Sequence, residues 1–116
     1  MTLLTRDAIL AAVDLRRETV DVPEWGGSVI VSEMTGEARD AWEQSLIAPG
    51  SKPNLINVRA RLVAACVVNE DGSRMFTPAD VETLGRKSGR ALDRVAKVAQ
   101  RLNGLTDDDV EAARGN

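Results

Sequence analysis

The sequence contains no histidine and no tyrosine, and its 116 residues include only two tryptophans and one phenylalanine. Without histidine, the chain cannot form a Ser-His or Cys-His catalytic pair, a histidine-ligated zinc site or an imidazole base that titrates near neutral pH. The single cysteine excludes an internal disulfide and any Cys-x-x-Cys metal framework. We therefore expect a protein that is not an enzyme and that uses no cofactor and no metal.

Long apolar runs are also missing. No stretch is long enough to span a membrane, and Arg6 and Asp7 interrupt the N-terminal apolar residues before a secretory signal could form. Cys66 lies within the apolar residues 62–68, where burial raises the pKa of a thiol instead of activating it. These features predict a core cysteine in a protein of the reducing cytoplasm.

What is present is an ordinary globular composition. The chain is 43% hydrophobic and 28% charged, and 15 basic residues against 18 acidic residues give a net charge of -3. A chain of this size buries roughly two-thirds of its unfolded surface, which is enough for one modest core. The pattern predicts an α+β, mostly helical single domain over residues 1–116, with a small N-terminal β-hairpin.

The hairpin is predicted from two β-prone segments that flank a pair of glycines. Residues 17–22 alternate in polarity, Pro23 ends the run, and residues 28–32 resume it after Gly26 and Gly27. Because both glycines can adopt a positive φ, we place the turn there. An isolated hairpin is marginally stable in water, so it should pack on helices or pair with another chain.

Helical periodicity and capping residues account for most of the remaining sequence. A largely apolar helix over residues 55–68 is expected at the centre of the fold. Two prolines and a glycine make residues 48–54 a candidate flexible loop. The other predicted helices begin after the caps Thr5, Thr35, Thr77, Ser88 and Thr106.

Two acidic segments resemble metal sites only superficially. Aligning Gly72 with the glycine of a calcium loop puts Val67 and Pro78 at ligand positions, so this segment is a turn. The carboxylates of residues 107–109 would point in different directions on a helix, where they complement the helix dipole instead.

Helical spacing places five basic side chains in one narrow sector, opposite an apolar face. A basic stripe of this kind can contact nucleic-acid phosphates or an acidic partner protein, and it can also be a solvated helix face. No aromatic residue is interleaved and the net charge is negative, so a protein partner is favoured over nucleic acid. The residues of this basic stripe are Arg86, Arg90, Arg94, Lys97 and Arg101.

The two tryptophans differ in their expected roles. Trp42 lies on the apolar face of a predicted helix and is expected in the core. Trp25 lies at the hairpin tip, where it either anchors a protein contact or folds back over Val29 or Val31.

Several local segments, in this order along the chain, resemble the tail assembly chaperones of long-tailed phages and prophages. The resemblance extends from about Thr5 to Glu111 and is distributed, with no catalytic signature. The segments are 20–31 (VDVPEWGGSVIV), 34–43 (MTGEARDAWE), 62–72 (LVAACVVNEDG), 75–81 (MFTPADV) and 102–106 (LNGLT).

The resemblance implies a non-enzymatic role in the cytoplasm of a bacterial host. Proteins of this family coat the tape-measure protein, keep it soluble, help to recruit tail-tube subunits and are absent from the finished particle. Many also occur in a longer form that arises by a programmed ribosomal frameshift and meets the tail-tube protein. The residues 114–116 are compatible with a slippery codon sequence.

In this interpretation the basic stripe and Trp25 contact the tape-measure protein, and the hairpin mediates self-association into a homo-oligomer. An alternative is a small DNA-binding regulator, in which residues 77–84 and 88–103 form a helix-turn-helix-like pair.

Overall fold

The computed structural model describes residues 2–105, so the helix expected after Thr106 and the carboxylates of residues 107–109 lie outside the described residues. The α+β, mostly helical organisation with an N-terminal hairpin is confirmed. Short 3₁₀ helices occur at Pro23–Trp25 and Pro78–Asp80. The helices and strands are α1 (Arg6–Ala11), β1 (Arg17–Val22), β2 (Gly27–Ser32), α2 (Gly36–Ser45), β3 (Ile47–Ala48), β4 (Lys52–Pro53), α3 (Val58–Cys66), β5 (Val67–Val68), α4 (Val81–Leu84) and α5 (Gly89–Leu102).

The predicted hairpin is formed by β1 and β2, which pair antiparallel from Arg17 opposite Ser32 to Val22 opposite Gly27. Its turn differs from the expected two-glycine turn. The 3₁₀ helix Pro23–Trp25 fills the connection, and only the first glycine, Gly26, has a positive φ, of 74°. The expectation for Gly27 was wrong because this residue is already paired as the first residue of β2.

A third strand that the sequence pattern did not predict completes the main sheet. The strand order is β1-β2-β5, and Ile30 of β2 pairs antiparallel with Val68 of β5. Helix α3 ends at Cys66, and the next residue, Val67, turns to an extended conformation. An uninterrupted apolar run therefore contains both the end of a helix and a strand, which periodicity alone does not separate.

The hydrophobic core lies between the sheet, α3 and α5. Val22 and Val31 from the sheet, Val63 from α3 and Val95 from α5 are fully buried. The central position expected for the apolar helix is confirmed, because five of the nine residues of α3 are buried. Cys66 lies in this core, and desolvation raises the pKa of its thiol to about 12.

The segment expected to be a flexible loop contains a short ribbon of β3 and β4, which pair antiparallel. Arg61 of α3 fastens this region, because its guanidinium donates hydrogen bonds to the backbone carbonyls of Ser45, Asn54 and Ile56. Burial lowers the pKa of Arg61. The flexibility of residues 48–54 stays a prediction.

Helix α1 begins where its cap predicts, since the Thr5 hydroxyl accepts a hydrogen bond from the amide of Ala8 at 3.2 Å. None of its residues is buried. The apolar side chains of this helix therefore face solvent. The large apolar side chains of the N-terminal segment that are more than half exposed are Leu3, Leu4, Ile9, Leu10 and Val13.

Candidate protein-binding surface

The basic stripe is presented mainly by α5. The Ser88 hydroxyl caps this helix by accepting a hydrogen bond from the amide of Ala91 at 3.2 Å. Six of its fourteen residues are buried against α3 and the sheet. Arg90 and Lys97 are exposed, and Arg94 and Arg101 lie beside the hairpin. Arg86 precedes the cap and lies in the connection between α4 and α5.

The hairpin supplies carboxylates to two arginines of the stripe. Glu24 at the hairpin tip forms an ion pair with Arg94, and Glu18 of β1 forms an ion pair with Arg101. The pKa of Glu24 is lowered, first by a hydrogen bond with its own backbone amide and then by Arg94. The fold therefore joins the hairpin and the stripe into one surface, although 70 or more residues separate the partners in the sequence.

Two further basic residues of the stripe pair with acidic neighbours. The ammonium of Lys97 lies 3.0 Å from a carboxylate oxygen of Asp93, and the guanidinium of Arg86 lies 3.3 Å from Glu82. A hydrogen bond from Lys97 is the main cause of the lowered pKa of Asp93, to which Arg59 of α3 also contributes.

Arg90 is the stripe residue that makes no ion pair within residues 2–105. It is exposed and close enough to Glu24 to favour the charged form of that carboxylate. The surface thus alternates positive and negative charge instead of presenting a continuous positive field. An alternating surface suits a partner that carries both signs of charge better than a phosphate backbone.

Trp25 ends the 3₁₀ helix at the hairpin tip, next to Glu24, and is therefore brought to the same surface as Arg94. It is half-buried and packs against the core. Of the two placements that the sequence left open, the structure shows Trp25 folded back onto the core, with the residue only partly buried. Trp42 is buried, as expected.

An apolar groove lies on another side of the molecule, between α2, α3 and the start of α4. Its open volume is about 260 Å³. Trp42 forms part of its wall, and the indole nitrogen of Trp42 is buried without a hydrogen-bond partner among the described residues. The other lining side chains are Ala38, Ala41, Ser45, Arg61, Ala64, Ala65, Arg74, Pro78 and Val81.

Sequence reasoning missed two features of the folded chain. The ion pairs of Glu18 and Glu24 could not be read from the stripe alone, because their partners are distant in sequence. The exposure of α1 could have been suspected from its length, since a helix of six residues is too short to be stable by itself in water.

The segment considered as a calcium loop is a turn, as expected. Asp71 accepts hydrogen bonds from the amide and the hydroxyl of Ser73 at 2.9 and 2.6 Å, and Gly72 has a φ of 89°. Over residues 2–105, no group of three or more cysteine, aspartate or glutamate side chains could hold a metal ion. No helix in this range has the length and apolar character needed to cross a membrane.

Comparison with known proteins identifies a family and a similar solved structure. The family model for phage tail assembly chaperones matches residues 5–115. The chain is also similar to a solved structure described as the bacteriophage HK97 tail assembly chaperone, with 28% sequence identity and a TM-score of 0.58. That similarity covers 76% of this chain and 85% of the other. No curated protein matches the sequence significantly.

Proposed function

The chain belongs to the phage tail assembly chaperone family, and from this premise we propose that it binds the tape-measure protein of a long-tailed phage. In this proposal it acts in the cytoplasm of the bacterial host, keeps the tape-measure protein soluble before the tail tube forms, and is absent from the finished virion. The family match over residues 5–115 is the observation that carries the proposal.

The proposed contact surface consists of Trp25 and the basic stripe of Arg86, Arg90, Arg94, Lys97 and Arg101. Its support is geometric. The hairpin tip lies against α5, so the partly buried Trp25 adjoins a row of alternating charges. A long amphipathic helix with charges of both signs beside its apolar face would match such a surface.

Binding of this kind needs no catalytic group, and the proposed role is non-enzymatic. The sequence has no histidine, and the described residues group no metal ligands. We propose protein-protein contact as the whole of the activity.

The DNA-binding alternative has no specific observation in its favour. Helix α4 has only four residues, and α5, which would be the recognition helix, is packed between α3 and the sheet. A phosphate backbone approaching the stripe would meet Glu18 and Glu24 as well as the arginines.

Recruitment of the tail-tube protein is assigned in this proposal to a longer, frameshifted form of the chain. The residues compatible with a slippery codon sequence, 114–116, lie outside the described residues. Reading the gene for a slippery heptamer and an overlapping downstream frame tests this part of the proposal directly.

The central experiment is co-expression of the full chain with the tape-measure protein encoded beside it, followed by measurement of soluble tape-measure protein. We expect the wild-type chain to raise this soluble fraction. Arg90→Glu together with Lys97→Glu should abolish the increase, because both side chains are exposed on the stripe and neither holds the hairpin to α5.

The matched control is Arg6→Glu with Lys52→Glu, which makes the same change in net charge at two exposed residues outside the stripe. Equal loss or equal retention of client solubility in the two double variants would remove the stripe as the contact surface. A wild-type chain that fails to solubilise the tape-measure protein would contradict the proposed function itself.

A further inference from the structure

The main sheet has an open edge. Strand β1 is terminal in the order β1-β2-β5, and no other strand of residues 2–105 pairs with its outer side. The amide of Glu33 donates to the carbonyl of Arg16 at 2.9 Å, so the backbone of Arg16 faces β2. Because hydrogen-bonded and non-hydrogen-bonded positions alternate in an antiparallel ladder, the backbone groups of Arg17, Thr19 and Asp21 point outward from the sheet.

The two faces of β1 differ in what they contact. The side chains of Arg17, Thr19 and Asp21 are exposed. The alternate residues Val20 and Val22 are buried in the core. The outward-facing backbone groups therefore belong to the residues whose side chains project into solvent.

This edge lacks the usual protection of a natural edge strand. Such strands are usually kept from pairing with another chain by a proline, a bulge, a short length or charged side chains that cover the edge. Strand β1 has six residues, contains no proline and pairs with β2 without interruption. Its three charged side chains are engaged within the same copy instead of covering the edge. Glu18 pairs with Arg101, Arg17 donates to the carbonyl of Glu70 at 3.0 Å, and Asp21 accepts from the hydroxyl of Ser28 at 2.6 Å.

We propose that the β1 edge pairs antiparallel with the β1 edge of a second copy of this chain, about a two-fold axis at Thr19. Thr19 then lies opposite its own equivalent. Arg17 of each copy lies opposite Asp21 of the other. On pairing, these exposed side chains exchange their contacts with Glu70 and Ser28 for two symmetric cross-strand ion pairs. The result is one continuous six-stranded sheet with both copies of α5 on the same face.

The sequence of β1 selects this register over its neighbours. A shift of one strand by one residue would place residues whose backbone groups point outward opposite residues whose backbone groups are already bonded to β2. Such a pairing cannot form a ladder of hydrogen bonds. Centring on Glu18 would set two glutamates opposite each other, and like charges in that position repel. Centring on Val20 moves Arg17 opposite Pro23 and loses both ion pairs.

This inference goes beyond the proposed function and does not depend on the identity of the client. A second copy is the occupant that this edge favours, because the strand is complementary to itself in charge and in hydrogen-bonding parity. The charge complementarity supplies a direct test.

The first experiment measures the dimer dissociation constant of the full chain by sedimentation over a concentration series. Asp21→Arg places two arginines opposite each other and should weaken the dimer about tenfold or more. The swapped double variant, Arg17→Asp with Asp21→Arg, restores opposite charges and should recover the wild-type dissociation constant. Its recovery cannot come from contacts within one copy, because both variants have lost the Asp21 contact with Ser28.

A wild-type chain that stays monomeric at the highest accessible concentration would overturn the proposal. So would a double variant that dimerises no better than Asp21→Arg, or an association that Asp21→Arg leaves unchanged, which would assign self-association to another surface. None of these outcomes bears on client solubility, so failure here is distinct from failure of the proposed function.

The second experiment uses cysteine cross-linking. A hydrogen-bonded antiparallel pair has Cα atoms about 5.5 Å apart, which lies within the range that a disulfide can bridge. Thr19→Cys should therefore form a covalent dimer on mild oxidation, with Cys66 silent because it is buried. Ser28→Cys is the matched control, since it lies on the same face of the hairpin but one strand from the axis. Equal cross-linking rates for the two variants would contradict the proposed register.

Discussion

Helices α1 and α3 show how differently two helices of this protein are stabilised. Helix α1 has a side-chain cap from Thr5 and an acidic residue in its first turn, yet it buries no residue. Helix α3 has no side-chain hydrogen bond at its cap, and Asn57 there has a φ of 53°, yet it provides five buried residues. A capping residue thus marks where a helix begins, whereas the number of buried residues determines how much the stability of the fold depends on that helix.

The same contrast holds for individual apolar side chains. Leu62 of α3 is 2% exposed and Leu10 of α1 is 68% exposed. The two residues are chemically identical, so any difference in their contribution to stability comes from what surrounds them. The following predictions test this contrast, from the largest expected effect to the smallest.

We expect Leu62→Ala to lower the free energy of unfolding by about 2–5 kcal/mol, because it removes a buried side chain and leaves a cavity. Leu10→Ala is the matched control and should leave stability nearly unchanged, since it creates no cavity and alanine favours the helix. Urea denaturation of both variants measures the difference. A comparable loss for Leu10→Ala would show that α1 packs on the body in solution.

Arg61→Met should cost about 2 kcal/mol, because it leaves the carbonyls of Ser45, Asn54 and Ile56 without a charged donor. Arg59→Met is the control, since Arg59 lies on the same helix and forms an exposed ion pair with Asp93. Exposed pairs contribute little to stability. Equal denaturation midpoints for the two variants would contradict the role assigned to Arg61.

Thr35→Ala should cost about 1 kcal/mol, because the Thr35 hydroxyl accepts from the amide of Ala38 at 3.1 Å at the start of α2. Helix α2 carries the buried Trp42. Thr5→Ala removes the equivalent bond from α1 and should not change global stability measurably. Thermal unfolding of the two variants compares the same kind of cap on a helix with a buried residue and on one without. Similar losses of stability would contradict the conclusion that burial decides how much the fold depends on a helix.

The smallest effect is expected for the surface charges of α5. The pKa of Asp93 is lowered in the folded chain, so its ion pairs stabilise the fold above the ordinary aspartate pKa. That contribution is lost as the pH falls through the lowered value. Asp93→Asn should therefore be slightly less stable than wild type at pH 7, and the difference should shrink as the pH falls below the ordinary aspartate pKa, by urea denaturation at each pH. Asp40→Asn, an exposed carboxylate on α2, is the control, and a pH dependence as large as that of Asp93→Asn would contradict this origin.

Much of the fold follows from signals that lie within a few residues of one another. Thr5, Thr35 and Ser88 cap helices as their positions predict. Cys66 and Trp42 are buried, as their apolar neighbours indicate. Such signals are readable because the interacting groups are adjacent in sequence or one helical turn apart.

Strand β5 and the turn of the hairpin were not readable in this way. Residues 67 and 68 form a strand because they pair with the edge of β2. The apolar run that contains them has no proline, glycine or polar residue that would mark where the helix ends. At the hairpin tip, the 3₁₀ helix Pro23–Trp25 takes up the connection, so only one of the two glycines is needed at a positive φ.

By itself, the sequence determined the α+β class, the positions of the capped helices, the burial of the central helix and the row of basic residues along α5. Only the tertiary structure decided that Arg94 and Arg101 meet Glu24 and Glu18, that Trp25 folds back, and that α1 buries none of its residues. The physical reason is distance along the chain. Periodicity and capping act over a single turn, whereas ion pairs and burial join residues that only the folded chain brings together.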